Sequence, residues 1–93
     1  MLSKIPLVLE KIAEEDLDKE ILRAGIMAEL DAINLYEQMA SMTQNEKIKT
    51  VLRDIAKEEK THVGEFQALL LKEDEEQKKE LEKGREEVSE LTE

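Results

Sequence analysis

The sequence has no cysteine and no tryptophan, and only one phenylalanine, one tyrosine and one histidine among its 93 residues. Without cysteine there is no disulfide, thiol nucleophile, iron–sulfur cluster, rubredoxin-type four-cysteine centre or cysteine-based zinc site. Two aromatic rings are too few for the stacking surfaces that bind single-stranded nucleic acid. A chain this small without disulfides needs a metal or an oligomer to supplement its core.

Proline and glycine are also scarce, with one proline and three separated glycines. This composition offers no glycine-rich phosphate loop and no series of hairpin turns. The apolar run near the N-terminus covers only residues 5–9, which is too short for a signal-peptide core or a membrane span. These features predict a soluble, cytoplasmic protein with no membrane partner.

Charge of one sign dominates, with 24 acidic against 14 basic side chains and a net charge of -10. Such a chain repels phosphate backbones, so nucleic acid is not an expected partner. Residues 73–93 hold 10 acidic and 4 basic side chains and carry -6 of the total. We interpret this segment as a solvated amphipathic helix over about 74–91, with Leu81, Val88 and Leu91 docking lightly.

Helical periodicity fills the rest of the chain. A first helix is predicted over about 17–42, and its apolar residues form two adjacent stripes that one partner helix cannot fully cover. The first stripe is Leu22, Ile26, Ile33, Tyr36 and Ala40, and the second is Ile21, Ala28, Ala32, Leu35 and Met39.

A second helix is predicted over about 46–71, with its stripe at Ile48, Leu52, Ile55, Phe66 and Leu69. Thr43 with Glu46 matches a capping box for its start, and Asp74 with Gln77 could cap the third helix. The sequence therefore predicts an all-α fold in a single domain of residues 1–93. Its architecture would be an antiparallel two-helix hairpin with a short C-terminal helix, completed to a four-helix bundle by dimerisation.

Three polar residues occupy positions on these apolar stripes. Glu29 fills a gap in the first stripe, while Glu59 and His62 continue the stripe of the second helix. Glu29 and Glu59 are equally far from a turn centred near Gln44. Two antiparallel helices therefore bring the two carboxylates to about the same level.

Burial of these carboxylates needs an explanation, because an ionised carboxylate in an apolar seam costs several kcal/mol unless it is paired or bound to metal. The default interpretation of a lone histidine there is a hydrogen-bonded core residue, and Glu-x-x-His alone is common in so glutamate-rich a chain. Glu29, at the same level as Glu59, favours the metal-binding interpretation, because the residues one turn away from it include no basic side chain to neutralise it.

Di-iron carboxylate bundles take a glutamate from each of two helices and a Glu-x-x-His from each of the other two. This chain supplies half of that set, and a two-fold dimer would supply Glu29, Glu59 and His62 twice. Four carboxylates then balance the charge of two Fe(II) ions. The ligand types favour iron, and manganese and zinc remain open.

The segments "MAELDAINLYEQ" and "EEKTHVGEFQALL" resemble the encapsulated ferritins, which are half-sized ferritin-like proteins housed in encapsulin shells. The resemblance covers about Leu22 to Leu71 and is strongest to the archaeal type, in which such a domain precedes an encapsulin shell segment. It implies a ferritin-like fold and Glu29, Glu59 and His62 as ligands of a ferroxidase centre at a dimer interface. It also implies a ring-shaped decamer inside an encapsulin nanocompartment in the cytoplasm.

Some positions depart from the better-known bacterial members of this family. Those members have two carboxylates that flank the route by which iron enters. The matching positions here are Ala28 and Asp31, so the resemblance implies a metal-binding role in this route for Asp31 alone. A tryptophan is replaced by Leu35, whereas Tyr36 matches. Tyr36 is either a hydrogen-bonding or redox residue behind the ligands or a tyrosine that fills a core gap. The final residues, "SELTE", show no shell-targeting peptide, which suggests an excised domain or another mode of recruitment.

The expected function is ferroxidase activity, in which two Fe(II) ions per dimer are oxidised by O2 or peroxide and the Fe(III) is released for mineralisation in a separate container. Glu59 is our choice for the bridging ligand, with Glu29 and His62 terminal, although spacing leaves this open. Two alternatives remain. One is a peroxide-scavenging di-iron protein of the rubrerythrin kind, and the other is a non-enzymatic helical assembly module.

Overall fold

Every regular element that the structure describes is a helix. The computed structural model describes residues 13–93, so the apolar run at residues 5–9 lies outside the described residues. A short 3-10 turn, Glu14–Asp16, leads into α1 (Leu17–Met42), which is followed by α2 (Glu46–Glu73) and α3 (Glu75–Thr92). The predicted all-α fold is confirmed, and the helices begin and end within two residues of the predicted ranges. That the whole chain is one domain stays a prediction.

The turn between α1 and α2 is short because a single asparagine starts the second helix. The Asn45 side-chain oxygen accepts hydrogen bonds from the backbone N–H of Lys47 at 3.0 Å and of Ile48 at 3.2 Å. The capping-box prediction for Thr43 and Glu46 is wrong. Thr43 follows α1 directly in an extended conformation, and its hydroxyl accepts from the backbone N–H of Asn45 at 3.1 Å instead. The N-cap position is the residue just before the helix, and Asn is among its preferred residues.

The interface between α1 and α2 is the core of the chain, and it is thin. The apolar residues that are nearly inaccessible to solvent within 13–93 are Ala24, Ile33, Ala40, Ala56 and Leu70. Much of the remaining apolar surface of the hairpin is about half exposed, including Ile21, Met27, Leu30, Ile48, Val51 and Leu69. As the two apolar stripes on the first helix predict, α2 covers only part of the apolar surface of α1.

The exposed area of the whole chain exceeds that of a compact monomer. The chain exposes 7484 Å², whereas a compact monomer of 10.7 kDa is expected to expose about 5500 Å². Its Cα radius of gyration is 16.5 Å, compared with about 12 Å for a compact chain of this length. None of the helices within residues 13–93 is both long and apolar enough to cross a bilayer.

Asp74 forms the elbow between α2 and α3. One carboxylate oxygen accepts from the backbone N–H of Gln77 at 3.0 Å, which confirms the predicted cap of α3. The other accepts from the Arg23 guanidinium of α1 at 2.5 Å. The hydrogen bond from Gln77, and then that from Arg23, hold the pKa of the Asp74 carboxyl below its ordinary value of 3.8.

The far end of α3 does not dock on the hairpin. Leu81 lines a shallow groove of about 280 Å³ with Ile26, Met27 and Leu70. Val88 and Leu91, however, are 59% and 85% exposed. The prediction of light docking is therefore wrong for these two residues, because the elbow turns α3 away from the hairpin after its first turns.

We expect Asp74→Asn to lower the melting temperature at pH 7, because asparagine still caps α3 but offers Arg23 no charge. A carboxyl with a lowered folded-state pKa stabilises the fold above its ordinary value of 3.8, and this stabilisation is lost as the pH falls through the folded-state pKa. The difference between parent and variant should therefore narrow only below pH 3.8. Thermal denaturation between pH 7 and pH 2.5 measures it, with the exposed Glu76→Gln as the control. If the melting temperatures of parent and variant differed by the same amount at pH 7 and at pH 2.5, the ion pair would be contradicted.

Candidate metal centre

The three predicted ligand residues lie together across the seam of the hairpin. Glu29 lies midway along α1, and Glu59 and His62 lie one turn apart on α2. One donor atom of each lies within 4.8 Å of the donor atoms of the other two, and no other such group of three occurs within residues 13–93. The short Asn45-capped turn brings the two helices to the level that the sequence predicts. The role of these residues as ligands stays a prediction.

The imidazole presents its Nδ1 atom to both carboxylates. Nδ1 of His62 lies 3.5 Å from Oε2 of Glu29 and 3.5 Å from Oε2 of Glu59. These separations are too long for good hydrogen bonds. Neighbouring donors on one ion, each about 2.1 Å from it, lie about 3.0–3.4 Å apart. The imidazole therefore makes no good hydrogen bond to either carboxylate, and its distance from each is close to that between neighbouring ligands of one ion.

Burial makes this arrangement costly without a cation. The Glu29 and Glu59 side chains are each 19% exposed. Oε2 of Glu29 is buried and has no hydrogen-bond partner among the described residues. The contact with His62 does not satisfy it, because 3.5 Å is beyond hydrogen-bonding distance for a nitrogen donor. A buried acceptor left unpaired costs about 1–3 kcal/mol. A divalent cation would remove that cost, so these residues fit a metal ion.

Basic side chains do not neutralise the site within residues 13–93. Neither Glu29 nor Glu59 forms an ion pair there with lysine or arginine. Lys60, which follows Glu59 in the sequence, pairs with Glu37 of α1 at 2.9 Å on the exposed side of the hairpin. Carboxylates with imidazole suit iron, manganese or zinc. The donor set therefore points to a transition metal, and His62, 44% exposed, leaves one side of the site open.

The other predicted site residues lie near this group but outside it. Asp31 is partly buried on α1 and does not belong to the group of three. Tyr36 is partly buried two turns beyond Glu29. Glu58, one position away from Glu59, is exposed, as its place off the apolar stripe predicts. The roles of Asp31 and Tyr36 stay predictions.

Sequence reasoning missed one contact beside the site. The Phe66 ring of α2 lies against the backbone of Gly25 in α1, so that a Cβ atom at Gly25 would be 3.1 Å from the ring. The only available signal was a glycine in the middle of a helix, one turn before Glu29. Helical periodicity does not indicate which residue packs against such a glycine, so the contact could be identified only in the structure.

Residues 20–93 match the rubrerythrin family. This chain belongs to the rubrerythrin family. Over 73 residues, 78% of the chain, it is 63% identical to a ferritin-like–encapsulin shell fusion protein of Pyrococcus furiosus. Over 71 residues, 76% of the chain, it is 41% identical to the encapsulin nanocompartment cargo protein EncC of Myxococcus xanthus. The matches span 21% and 54% of the lengths of these two curated relatives.

A solved structure supports the same relationship. The crystal structure of the encapsulated ferritin domain from Pyrococcus furiosus superposes with a TM-score of 0.85 and 53% sequence identity. The match covers 99% of this chain and 96% of that one. The predicted relationship to the encapsulated ferritins and the ferritin-like helical fold are confirmed. Membership in this family indicates an iron-related function and an activity of oxidoreductase type.

Glu29→Gln should change stability and metal binding in opposite directions. Removing the negative charge from a buried, unpaired oxygen is expected to raise the free energy of unfolding of the metal-free protein by about 1 kcal/mol. Removing an anionic ligand should weaken Co(II) or Zn(II) binding by more than the tenfold or so that is typical of losing a residue behind the ligands. Urea denaturation and metal titration measure the two quantities. The exposed Glu58→Gln is the control, and unchanged metal affinity in Glu29→Gln would refute the ligand assignment.

Proposed function

We propose that this chain is a ferroxidase subunit that oxidises Fe(II) to Fe(III) at a di-iron site shared between two copies of the chain. Fe(II) is then the substrate, and the Fe(III) product is passed on for storage. The observation that carries the proposal is the convergence of Glu29, Glu59 and His62 from two helices around a buried carboxylate oxygen without a partner. Family membership supports the choice of iron.

Dimerisation follows from the same group of residues. One chain offers two carboxylates and one imidazole, which is half the ligand set of a di-iron bundle. A two-fold partner would supply the other half and give four carboxylates against two Fe(II) ions. The half-exposed apolar residues of α1 and α2 support this assembly, because a second hairpin would cover them.

Each ligand has a distinct part in the proposed site. Nδ1 of His62 is the nitrogen that faces the carboxylates, so it would be the terminal nitrogen ligand. Glu59 would bridge the two ions and Glu29 would bind one of them. Asp31 would line the route by which Fe(II) arrives. Tyr36 would act behind the ligands by hydrogen bonding or by carrying redox charge.

The reaction moves two electrons. Each of two Fe(II) ions gives up one electron and becomes Fe(III). O2 takes both electrons with two protons and becomes hydrogen peroxide, or hydrogen peroxide takes them with two protons and becomes two waters. The carboxylates would hold the two ions close together, so that one oxidant could receive both electrons.

Storage of the product needs a container, since a chain of 93 residues cannot enclose a mineral. One relative is fused to an encapsulin shell, and another is an encapsulin nanocompartment cargo protein. We therefore propose an encapsulin shell protein as the partner, with this chain lying inside the nanocompartment in the cytoplasm. The resemblance to the encapsulated ferritins also supports the assembly of such dimers into a ring-shaped decamer.

A second candidate is peroxide scavenging, because the matched family is that of the rubrerythrins. A scavenger needs a steady supply of electrons, and the four-cysteine centre that provides them in such proteins is excluded in this sequence, which has no cysteine. Continuous peroxide turnover with an external reductant, without net accumulation of Fe(III), would favour this candidate over the ferroxidase.

Glu59→Ala and His62→Ala should each abolish rapid Fe(II) oxidation, because each removes one of only three ligands per chain. Stopped-flow absorbance after mixing anaerobic Fe(II)-loaded protein with air or peroxide measures the rate. Glu58→Ala and Thr61→Ala, exposed neighbours on the same helix, are matched controls and should keep the parent rate. Oxidation at the parent rate in either ligand variant would show that the site lies elsewhere.

Metal should also drive assembly, since neither half-site is complete alone. Anaerobic Fe(II) titration is expected to saturate at about one iron per chain, as half of a two-iron site requires. Sedimentation velocity should show a larger fraction of dimer with Fe(II) than without it, and His62→Ala should remove this dependence. Saturation without any change in association would contradict the shared site, and absence of bound transition metal would favour a purely structural assembly module.

A further inference from the structure

We propose that Gly25 is a positioning residue for the metal centre. Because glycine has no side chain, the Phe66 ring packs directly against α1. This contact sets the distance between Glu29 on α1 and the two residues on α2, Glu59 and His62. The inference rests on the proposed metal site. It adds a pair of residues that bind no metal themselves and act through the spacing of the helices.

The Phe66 ring leaves little room for a side chain at position 25. A Cβ atom at position 25 would lie 3.1 Å from Cε1, 3.1 Å from Cζ and 3.2 Å from Cδ1 of Phe66. Ordinary carbon–carbon contacts are about 3.5–4.0 Å. Three neighbouring atoms on one edge of the ring are involved, so the ring as a whole lies against the helix backbone. Any residue larger than glycine must push the ring away.

The position of the contact connects it to the site. Gly25 lies one turn before Glu29 on α1, and Phe66 lies one turn after His62 on α2. Residues four apart share a helix face. Because α1 and α2 are antiparallel, both residues lie at one level, a single turn from the ligands. Toward the hairpin turn, the seam next to the site contains the buried residues Ile33 and Ala56. The ligands are thus bracketed by packed layers on both sides.

The other glycines show what is particular about Gly25. A Cβ atom at Gly64 or at Gly84 would have nothing within 4 Å. Alanine is the better helix former at all three positions. Only at Gly25 does the structure supply a reason to keep glycine, which is the close approach of the ring.

Displacement of the ring would act on the ligands. Nδ1 of His62 already lies 3.5 Å from each carboxylate, at the wide end of the spacing between neighbouring ligands that lie about 2.1 Å from one ion. A ligand set tolerates errors of only about 0.5 Å. A shift of α2 by a few tenths of an ångström at Phe66, one turn from His62, would use most of that tolerance. Because His62 already lies at the wide end of the range, we expect the shift to weaken metal binding without removing any ligand.

The test compares four variants of the full chain: Gly25→Ala, Phe66→Leu, the double variant, and Gly64→Ala as the matched control. Co(II) is the probe, with affinity from titration and the coordination of the ion from its visible absorption. We expect Gly25→Ala to weaken Co(II) binding by about tenfold or more and to change the spectrum, while Gly64→Ala changes neither. Leucine lacks the ring edge, so Phe66→Leu should restore part of the affinity lost in Gly25→Ala, a coupling that independent sites would not show.

The outcomes separate the two proposals. Parent affinity and spectrum in Gly25→Ala, or strict additivity in the double variant, would overturn the positioning role and leave the ferroxidase proposal standing. Co(II) binding that depends on Gly25, in a protein that does not oxidise Fe(II), would support the positioning role and overturn the ferroxidase. Circular dichroism and melting temperature of the metal-free variants ensure that affinities are compared between folded proteins. A parent chain that binds no Co(II) would overturn both.

Discussion

A buried carboxylate oxygen without a partner is the constraint on which this structure depends. Oε2 of Glu29 is withdrawn from solvent and faces a second carboxylate and one imidazole nitrogen. Two acidic groups in one apolar seam repel each other, and the low dielectric of the seam strengthens the repulsion. A helical hairpin of ordinary design would place leucine or alanine at these positions. We expect this arrangement to destabilise the metal-free fold, and such a cost is typical of functional sites.

A two-fold dimer would remedy two deficiencies of the single chain. The ligand set is half of that in a di-iron bundle, and the hairpin exposes apolar residues that its own helices do not cover. A two-fold axis along the open side of the seam would double the ligands and cover part of this surface together. Metal binding and association would then be linked, with each raising the apparent strength of the other. For so small a chain, that linkage would provide the stability that a larger core or disulfides provide elsewhere.

The sequence predicts the helices and the three candidate ligands because both depend on local periodicity. A helix repeats every 3.6 residues, so apolar spacing fixes its face, and a short turn fixes the level of Glu29 against Glu59. What the sequence did not predict depends on contacts between distant segments. The direction of α3 depends on a link between Arg23 and Asp74, so the exposure of Leu91 could not be inferred from its place on a stripe. The prediction assigns the start of α2 to Thr43 because its spacing to Glu46 matches a capping box, whereas Asn45, the residue directly before the helix, supplies the cap.

The elbow at Asp74 explains why the far end of α3 does not cover the exposed apolar residues of the hairpin. Leu81, Val88 and Leu91 lie on one side of α3, and a longer, flexible connection would allow this side to fold back on the hairpin. Instead, the carboxylate of Asp74 is bonded to α1 and to the start of α3 simultaneously, which fixes the direction of the third helix. The apolar sides of the hairpin and of α3 therefore both remain open. A chain that buried these apolar residues itself would gain less from association, and association is what the proposed half-site at Glu29, Glu59 and His62 would require.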